Sequence, residues 1–129
     1  MSGFLINNRY IVRRLLGEGG MGKVFLVEDW LDDNRLRALK TLQIRADKQA
    51  QALDHFKNEF EAMARLRHPN LAEVYDFGRV EETGEYFFTA EYVEGEDLLA
   101  AAPRFSWDAI LEVVTGICQA LDYIHAQGF

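Results

Sequence analysis

The segment Leu16-Gly-Glu-Gly-Gly-Met-Gly-Lys-Val24, continued by Phe25-Leu-Val27, decides the fold. It places four glycines within six positions, between two runs of β-forming residues, Tyr10 to Leu16 and Val24 to Trp30. Because glycine has no Cβ atom, its backbone adopts positive φ and approaches other groups closely. The flanking runs therefore predict two strands joined by a glycine-rich loop.

Gly17, Gly19 and Gly22 satisfy the pattern G-x-G-x-x-G, which several unrelated phosphate-binding folds share. A dinucleotide-binding fold needs a helix after the last glycine, whereas Lys23 to Val27 is strand-like. The pattern G-x-x-x-x-G-K-[ST] needs a hydroxyl where this chain has Val24, and it also needs a helix. Two interpretations remain, a glycine hairpin that covers phosphates and a glycine turn without a ligand.

The rest of the chain predicts further strands and helices. Apolar residues at three- and four-residue steps predict a helix from about Lys48 to Leu66, ended before Pro69. Ser106 is the expected N-cap of a long last helix, which Gly128 is placed to close. The other predicted strands are 36–42, 72–79 and 86–93, the last two joined by a loop at 81–84. The fold class is therefore α+β, with a five-stranded antiparallel sheet and one main helix, followed by more helices.

Four motifs, in this order, resemble those of the protein kinase family. The glycine loop resembles the family's glycine-rich loop, including Val24 two places after the last glycine. Arg37-Ala-Leu-Lys40 resembles the V-A-I-K strand and departs from it at Arg37. The segment 56–60 resembles the helix that carries the lysine's glutamate partner, and 87–98 resembles the hinge. The local sequence is most similar to that of bacterial serine/threonine kinases. The expected fold is the small lobe of a kinase.

The resemblance implies ATP as the ligand. Lys40 and Glu59 would form the ion pair that positions the phosphates, although a lone strand lysine is usually solvated and Glu59 could be an exposed helix acid. Ala90 falls at the gatekeeper position, where a small residue should open a pocket behind the adenine. In the implied site, Leu16, Val24 and Ala38 enclose the adenine, and backbone groups of Glu91 and Val93 in the hinge meet its edge. Gly17, Gly19 and Gly22 cover the phosphates, and Asp97 bonds the ribose.

Asp76-Phe-Gly78 spells the family's magnesium-binding tripeptide but precedes the hinge, whereas the family's metal aspartate follows the catalytic loop. We therefore do not expect Asp76 to bind magnesium, and we predict no metal site in this chain. The His-Arg-Asp catalytic loop is absent, because the histidines are His55, His68 and His125.

The predicted function is the ATP-binding portion of a serine/threonine protein kinase, a transferase of the γ-phosphate of ATP to protein hydroxyls. Mg²⁺ and the protein substrate would be engaged by the full-length parent, and the isolated chain should be inactive. The alternative is a pseudokinase, or a regulatory nucleotide-binding module. The predicted domains are residues 1–93, the kinase N-lobe, and 94–129, the hinge exit and first C-lobe helices.

Composition and charge limit the partners. The net charge is −7, and residues 80–129 hold one basic residue against ten acids, which argues against nucleic acid. No apolar run approaches the roughly 18 to 20 residues of a spanning helix. The single cysteine, Cys118, excludes an internal disulfide and fits a reducing compartment, so we expect a cytoplasmic location. The last helix should expose its apolar stripe, which favours a homo-oligomer: Ile110, Val113, Val114, Ile117, Leu121 and Ile124.

Overall fold

The computed structural model describes residues 4–19, 22–42 and 49–128. Within these ranges lie six strands, three helices and two 3₁₀ turns, Trp30–Asp32 and Ala102–Arg104, which confirms the α+β class. In chain order the strands and helices are β1 (Phe4–Ile6), β2 (Tyr10–Gly19), β3 (Gly22–Asp29), β4 (Arg35–Leu42), α1 (Gln49–Ala64), β5 (Val74–Arg79), β6 (Tyr86–Glu91), α2 (Leu98–Ala101) and α3 (Trp107–Ala126). The predicted start of α1 at Lys48 lies outside the described residues.

All six strands form one antiparallel sheet in the order β1-β2-β3-β4-β6-β5. The predicted number of five strands is wrong, because β1 is only three residues long and its pattern is too short to recognise. The turn after β1 has a sequence signal that could have identified this strand. Asn7 and Asn8 have φ of 52° and 55°, and the amide of Arg9 donates to the carbonyl of Ile6 at 3.0 Å. Two adjacent asparagines suit this left-handed turn, which joins strands closely.

The sheet curls until the turn after β1 meets the far edge strand. The Asn7 side chain donates to the carbonyl of Arg79 at 2.7 Å and accepts from the amide of Glu81 at 2.9 Å. The Arg9 guanidinium forms a two-pronged ion pair with Asp29, at 2.8 and 2.9 Å, and reaches Asp76 on β5 at 3.1 Å. The hydrogen bond to Asp29 raises the pKa of Arg9 above its ordinary value. These contacts join the two edges of the sheet.

The core lies inside the curl, on the face that alternate strand residues share. Tyr10 is 2% exposed and meets the ring of Phe87 edge-on, with centroids 5.7 Å apart. Burial raises the pKa of Tyr10 to about 12, and its hydroxyl bonds the side chain of Thr89, so the phenol remains neutral. The cluster contains Ile6, Tyr10, Val12, Phe25, Val27, Leu39, Val80 and Phe87.

Helix α1 packs on the sheet through two phenylalanines one helical turn apart. The rings of Phe56 and Phe60 each contact Phe77 of β5 and Phe88 of β6, with centroids 5.3 to 6.5 Å apart. Residues four apart share a helix face, so this spacing fixes which side of α1 meets the sheet. Each aromatic pair stabilises the packing by about 0.5 to 1.5 kcal/mol beyond the contribution of the area that it buries.

The chain divides into two compact units. The first consists of the sheet and α1, up to Arg65 and again over Glu73–Tyr92, and the second of Leu66–Ala72 and the residues from Val93 onward. In the second unit, Ser106 caps α3 by accepting from the amide of Ala109 at 3.2 Å, as predicted. Gly128, at φ of 94°, follows the end of the helix in the conformation that glycine favours.

The segment 66–72 joins the second unit through contacts with α3. The side chain of Asn70 donates to the carbonyl of Gly116 at 3.0 Å, and the Tyr123 hydroxyl accepts from the amide of Arg67 at 2.9 Å. The His68 ring lies 5.4 Å from that of Tyr123. Gly116 favours the close approach of Asn70, because a Cβ atom at position 116 would lie only 3.2 Å from the side-chain nitrogen of Asn70.

Helix α3 exposes a row of large apolar side chains, spaced three or four residues apart: Trp107, Leu111, Val114, Ile117 and Leu121. Part of the predicted apolar stripe therefore faces solvent. Self-association through this face stays a prediction. Among the described helices, none combines the length and the hydropathy needed to cross a bilayer.

Candidate functional site

Two rows of facing residues on the sheet hold most of the strand-borne site residues. In the first row, Gly17 of β2 pairs with Val24 of β3, Val24 with Lys40 of β4, and Lys40 with Phe88 of β6. Directly paired residues in neighbouring strands project from the same face of a sheet. The antiparallel meander thus places the glycine loop, its following valine and the lysine side by side.

The second row runs parallel to the first and has two small side chains, those of Ala38 and Ala90. Leu26 of β3 pairs with Ala38 of β4, and Ala38 pairs with Ala90 of β6. Ala38 and Ala90 lie two residues from Lys40 and Phe88 along their strands, so both rows share one face. The sequence missed Leu26, which belongs to this row and is almost buried. Its alternation with Val24 along β3 is the signal that could have identified it.

The face that bears Lys40 is opposite to the core. Leu39 and Thr41, the neighbours of Lys40 on β4, are 0% and 5% exposed, whereas Lys40 is exposed. Arg37 shares the core side with Leu39, and its guanidinium lies between Asp32, at 2.6 Å, and the ring of Tyr75, at 4.0 Å. The departure from the V-A-I-K pattern at Arg37 therefore falls on the side of the sheet away from Lys40.

The glycines of the loop differ in what the fold requires of them. At Gly22, φ is +148° and a Cβ atom would lie 1.9 Å from the carbonyl oxygen of Thr41, so only glycine fits. At Gly17 and Gly19 a Cβ atom would meet nothing within 4 Å, and neither residue has positive φ. Packing explains Gly22, but no contact within the described residues explains Gly17 or Gly19. A ligand that lies against the backbone of the loop would explain both.

Helix α1 is positioned over the row that contains Lys40. Phe88, the partner of Lys40 across the strands, contacts Phe56 and Phe60 of α1. Glu59 belongs to the same helix, between these two phenylalanines in sequence. The side chain of Glu59 is not among the described parts of the structure, so the ion pair with Lys40 stays a prediction.

The remaining predicted residues lie at the end of β6 and beyond it. The amide of Glu91 donates to the carbonyl of Glu73 at 2.7 Å, and its carboxylate accepts from the amide of Glu73 at 3.3 Å. Val93 and Asp97 belong to the second unit. Val93 is 66% exposed, and Asp97 caps α2 by accepting from the amide of Ala100 at 2.8 Å. The Asp97 carboxylate therefore has one oxygen in the cap and a second one for another donor.

Each residue of Asp76-Phe-Gly78 has a structural role on β5. Asp76 binds Arg9, and Phe77 packs on α1. A Cβ atom at position 78 would lie 2.9 Å from the ring of Phe87, so glycine makes room for that ring. Among the described residues, no group of three or more His, Cys, Asp and Glu side chains could hold a metal ion. That Asp76 does not bind magnesium stays a prediction.

Comparisons with known proteins agree with this geometry. The model of the protein kinase domain matches residues 10–129, and the chain belongs to the protein kinase family. Members of this family bind ATP together with Mg²⁺. The predicted resemblance to this family, and the fold that it implies, are confirmed.

The similar proteins include bacterial serine/threonine kinases. Pkn3 of Myxococcus xanthus is 35% identical over 130 residues, which cover 98% of this chain and 23% of the relative. PrkC of Bacillus subtilis is 33% identical over 124 residues, which cover 93% and 18%. The crystal structure of the PknI kinase domain of Mycobacterium tuberculosis matches with a TM-score of 0.76 and 34% identity, over 99% of this chain and 51% of that one. The chain thus spans about a fifth of these curated relatives and about half of the PknI chain.

Proposed function

We propose that this chain forms the ATP-binding portion of a serine/threonine protein kinase. The observation that carries the proposal is the row Gly17, Val24 and Lys40, in which Val24 pairs both with a glycine that the packing does not require and with an exposed lysine. Backbone amides of a glycine-rich hairpin and an ammonium group are suitable ligands for phosphates. The alanines of the adjacent row leave space on the same face for a flat ring.

The resemblance to the family implies the roles of the individual residues. Lys40 would bind the α- and β-phosphates and Glu59 would hold it there, while Gly17 and Gly19 would lie over the phosphates. Leu16, Val24 and Ala38 would enclose the adenine. The carbonyl of Glu91 and the amide of Val93 would bind its edge, and the free oxygen of Asp97 would bind the ribose. Asp76 would not be the magnesium ligand, because it precedes the hinge and pairs with Arg9.

Isothermal titration of the chain with ATP tests the proposal. Lys40→Met should weaken binding at least about tenfold, because a charge-assisted hydrogen bond contributes about 1.5 to 3 kcal/mol. Lys57→Met, which removes a lysine from the exposed side of α1, is the matched control and should leave the affinity unchanged. Equal effects of the two substitutions would show that Lys40 does not contact the nucleotide.

The isolated chain should bind nucleotide without transferring phosphate. Its 129 residues contain no His-Arg-Asp sequence, so they supply neither a base for the substrate hydroxyl nor a carboxylate for the metal. Incubation with radiolabelled ATP, Mg²⁺ and a generic protein substrate should give no labelled product above a protein-free blank. Turnover by the purified chain would contradict this assignment, and a full-length kinase domain of a relative serves as the positive control.

A further inference from the structure

A second cavity lies on the core side of the sheet, and its volume is about 230 Å³. Its apolar wall joins the two edges of the curled sheet, because β1 and the residue after β5 both contribute to it. Ile6, Val12, Phe25 and Val80 are almost buried there, and Phe4 lies at the margin, 40% exposed. The cavity is smaller than the roughly 300 to 1,000 Å³ typical of pockets for drug-sized ligands, so it suits a small molecule with one apolar group.

The rest of the cavity wall is polar and carries one charge of each sign. Lys23 of β3 and Glu85 line this part of the wall, and the Lys23 ammonium group lies 4.0 Å from the carboxylate of Glu18. The loop that bears Glu85 is fixed, since its amide donates to the hydroxyl of Thr83 at 3.3 Å and its carbonyl accepts from Val80 at 2.7 Å. A ligand with a single charge would bring that charge close to a like charge. A zwitterion with an apolar group matches both charges.

The cavity and the face of Lys40 are separated by one layer of backbone. Thr41 lines the cavity, whereas Lys40, its neighbour, projects from the other face. In the adjacent strand, Lys23 lines the cavity and Val24 lies in the row of Lys40. The amide of Lys23 donates to the hydroxyl of Thr41 at 3.2 Å, beside the close approach of Gly22 to the Thr41 carbonyl. A ligand in the cavity therefore contacts the base of the glycine hairpin from behind.

We propose that this cavity is an effector site for a small zwitterion with a large apolar group, of the chemical class of aromatic α-amino acids. The ligand's carboxylate binds Lys23, its ammonium binds Glu85, and its ring enters the apolar wall. Its contacts with Lys23 and Thr41 change the conformation of the glycine hairpin and hence the affinity for nucleotide. The binding itself is independent of the proposed function, whereas the effect on nucleotide affinity rests on it.

The binding is tested with L-phenylalanine, and with phenylacetate and phenethylamine as ligands that each lack one charge. Titrations of the ¹⁵N-labelled chain should show saturable shifts at the amides of Lys23, Thr41 and Glu85 with phenylalanine, and at least tenfold weaker binding of the other two ligands. Lys23→Met and Glu85→Gln should each weaken phenylalanine binding at least tenfold, while Lys57→Met should not. Thermal unfolding of each variant confirms that it is folded.

Three results would overturn the proposal: no saturable binding of phenylalanine, equal binding of the three ligands, or shifts confined to residues away from the cavity. Equal binding would mean that the cavity accepts apolar groups without recognising charge. The affinity for ATP, measured with and without saturating phenylalanine, should differ at least threefold, and by linkage ATP should change the affinity for phenylalanine by the same factor. An unchanged ATP affinity would refute the effector role alone, whereas failure to bind ATP at all would refute the proposed function and leave the phenylalanine result intact.

Discussion

Ala38 and Ala90 face each other across β4 and β6, so two methyl groups are all that this part of the sheet face presents. Ala90 also pairs with Val74 of β5, so the small residue lies between two strands and not at an edge. A side chain that projects from position 90 would occupy the space beside Ala38. At the scale of single residues, we predict that this pair of small side chains leaves room for a group behind the adenine.

We expect Ala90→Phe to weaken ATP-competitive inhibitors with bulky ring substituents at least tenfold, because the phenyl group fills the space that such substituents occupy. The affinity for ATP should change by less than threefold, since ATP has no group in that space. Competition titrations with a pair of inhibitors, one with and one without the substituent, measure the difference. Equal affinities of the substituted inhibitor for both forms of the protein would contradict the gatekeeper assignment.

At the scale of elements, the glycine hairpin of β2 and β3 combines two different uses of glycine. Gly22 is required by the fold, because the hairpin lies against the carbonyl of Thr41 on β4. Gly17 and Gly19 have open space where a side chain would begin, and their backbone is compatible with alanine. The hairpin should therefore tolerate a methyl group at one end and reject it at the other.

Gly17→Ala and Gly22→Ala form a matched pair that separates stability from binding. Gly17→Ala should leave the melting temperature unchanged or raise it, because alanine lowers the entropy of the unfolded chain, which stabilises the folded state by about 0.4 to 1 kcal/mol. The same substitution should weaken ATP binding. Gly22→Ala should lower the melting temperature by several degrees, since strain of this kind costs about 1 to 3 kcal/mol. Thermal unfolding and ATP titration of both variants test this. A destabilised Gly17→Ala with normal ATP affinity would show that Gly17 serves the fold alone.

The hairpin, the helix α1 and the long helix α3 could be predicted because each has a strong local pattern. The alternation of β2 and β3, the three- and four-residue steps around Phe56 and Phe60, and the cap at Ser106 act between neighbours in sequence. The strand β1 escaped because three residues show no period. The role of Arg37 escaped as well, because its contact with the ring of Tyr75 joins β4 to β5, which is distant in sequence.

At the scale of the whole molecule, the two units have different internal supports. In the first unit, contacts of Asn7 and Arg9 join the edges of the sheet around Tyr10 and the core. In the second, Tyr123 and Gly116 of α3 hold the segment 66–72. The order of motifs along the chain was enough to propose the site residues, which stay a prediction. The contacts of Asn7 and Arg9 across the sheet edges could not be predicted, since their partners on and after β5 are about 70 residues away and share no pattern.

The predicted set of nucleotide-binding residues includes residues of β2, β3, β4 and β6 and two residues beyond β6, Val93 and Asp97. The set of residues touched by ATP is therefore a direct test of the central claim.

That test is a titration of the ¹⁵N-labelled chain with a non-hydrolysable ATP analogue, followed by the backbone amides. We predict saturable shifts along the rows of Gly17, Val24 and Lys40 and of Ala38 and Ala90, together with Val93 and Asp97. The amides of Gly84 and of the exposed end of α3 should stay in place. Shifts absent from the glycine hairpin, or from both Val93 and Asp97, would contradict the assignment of this chain as the ATP-binding portion of a kinase.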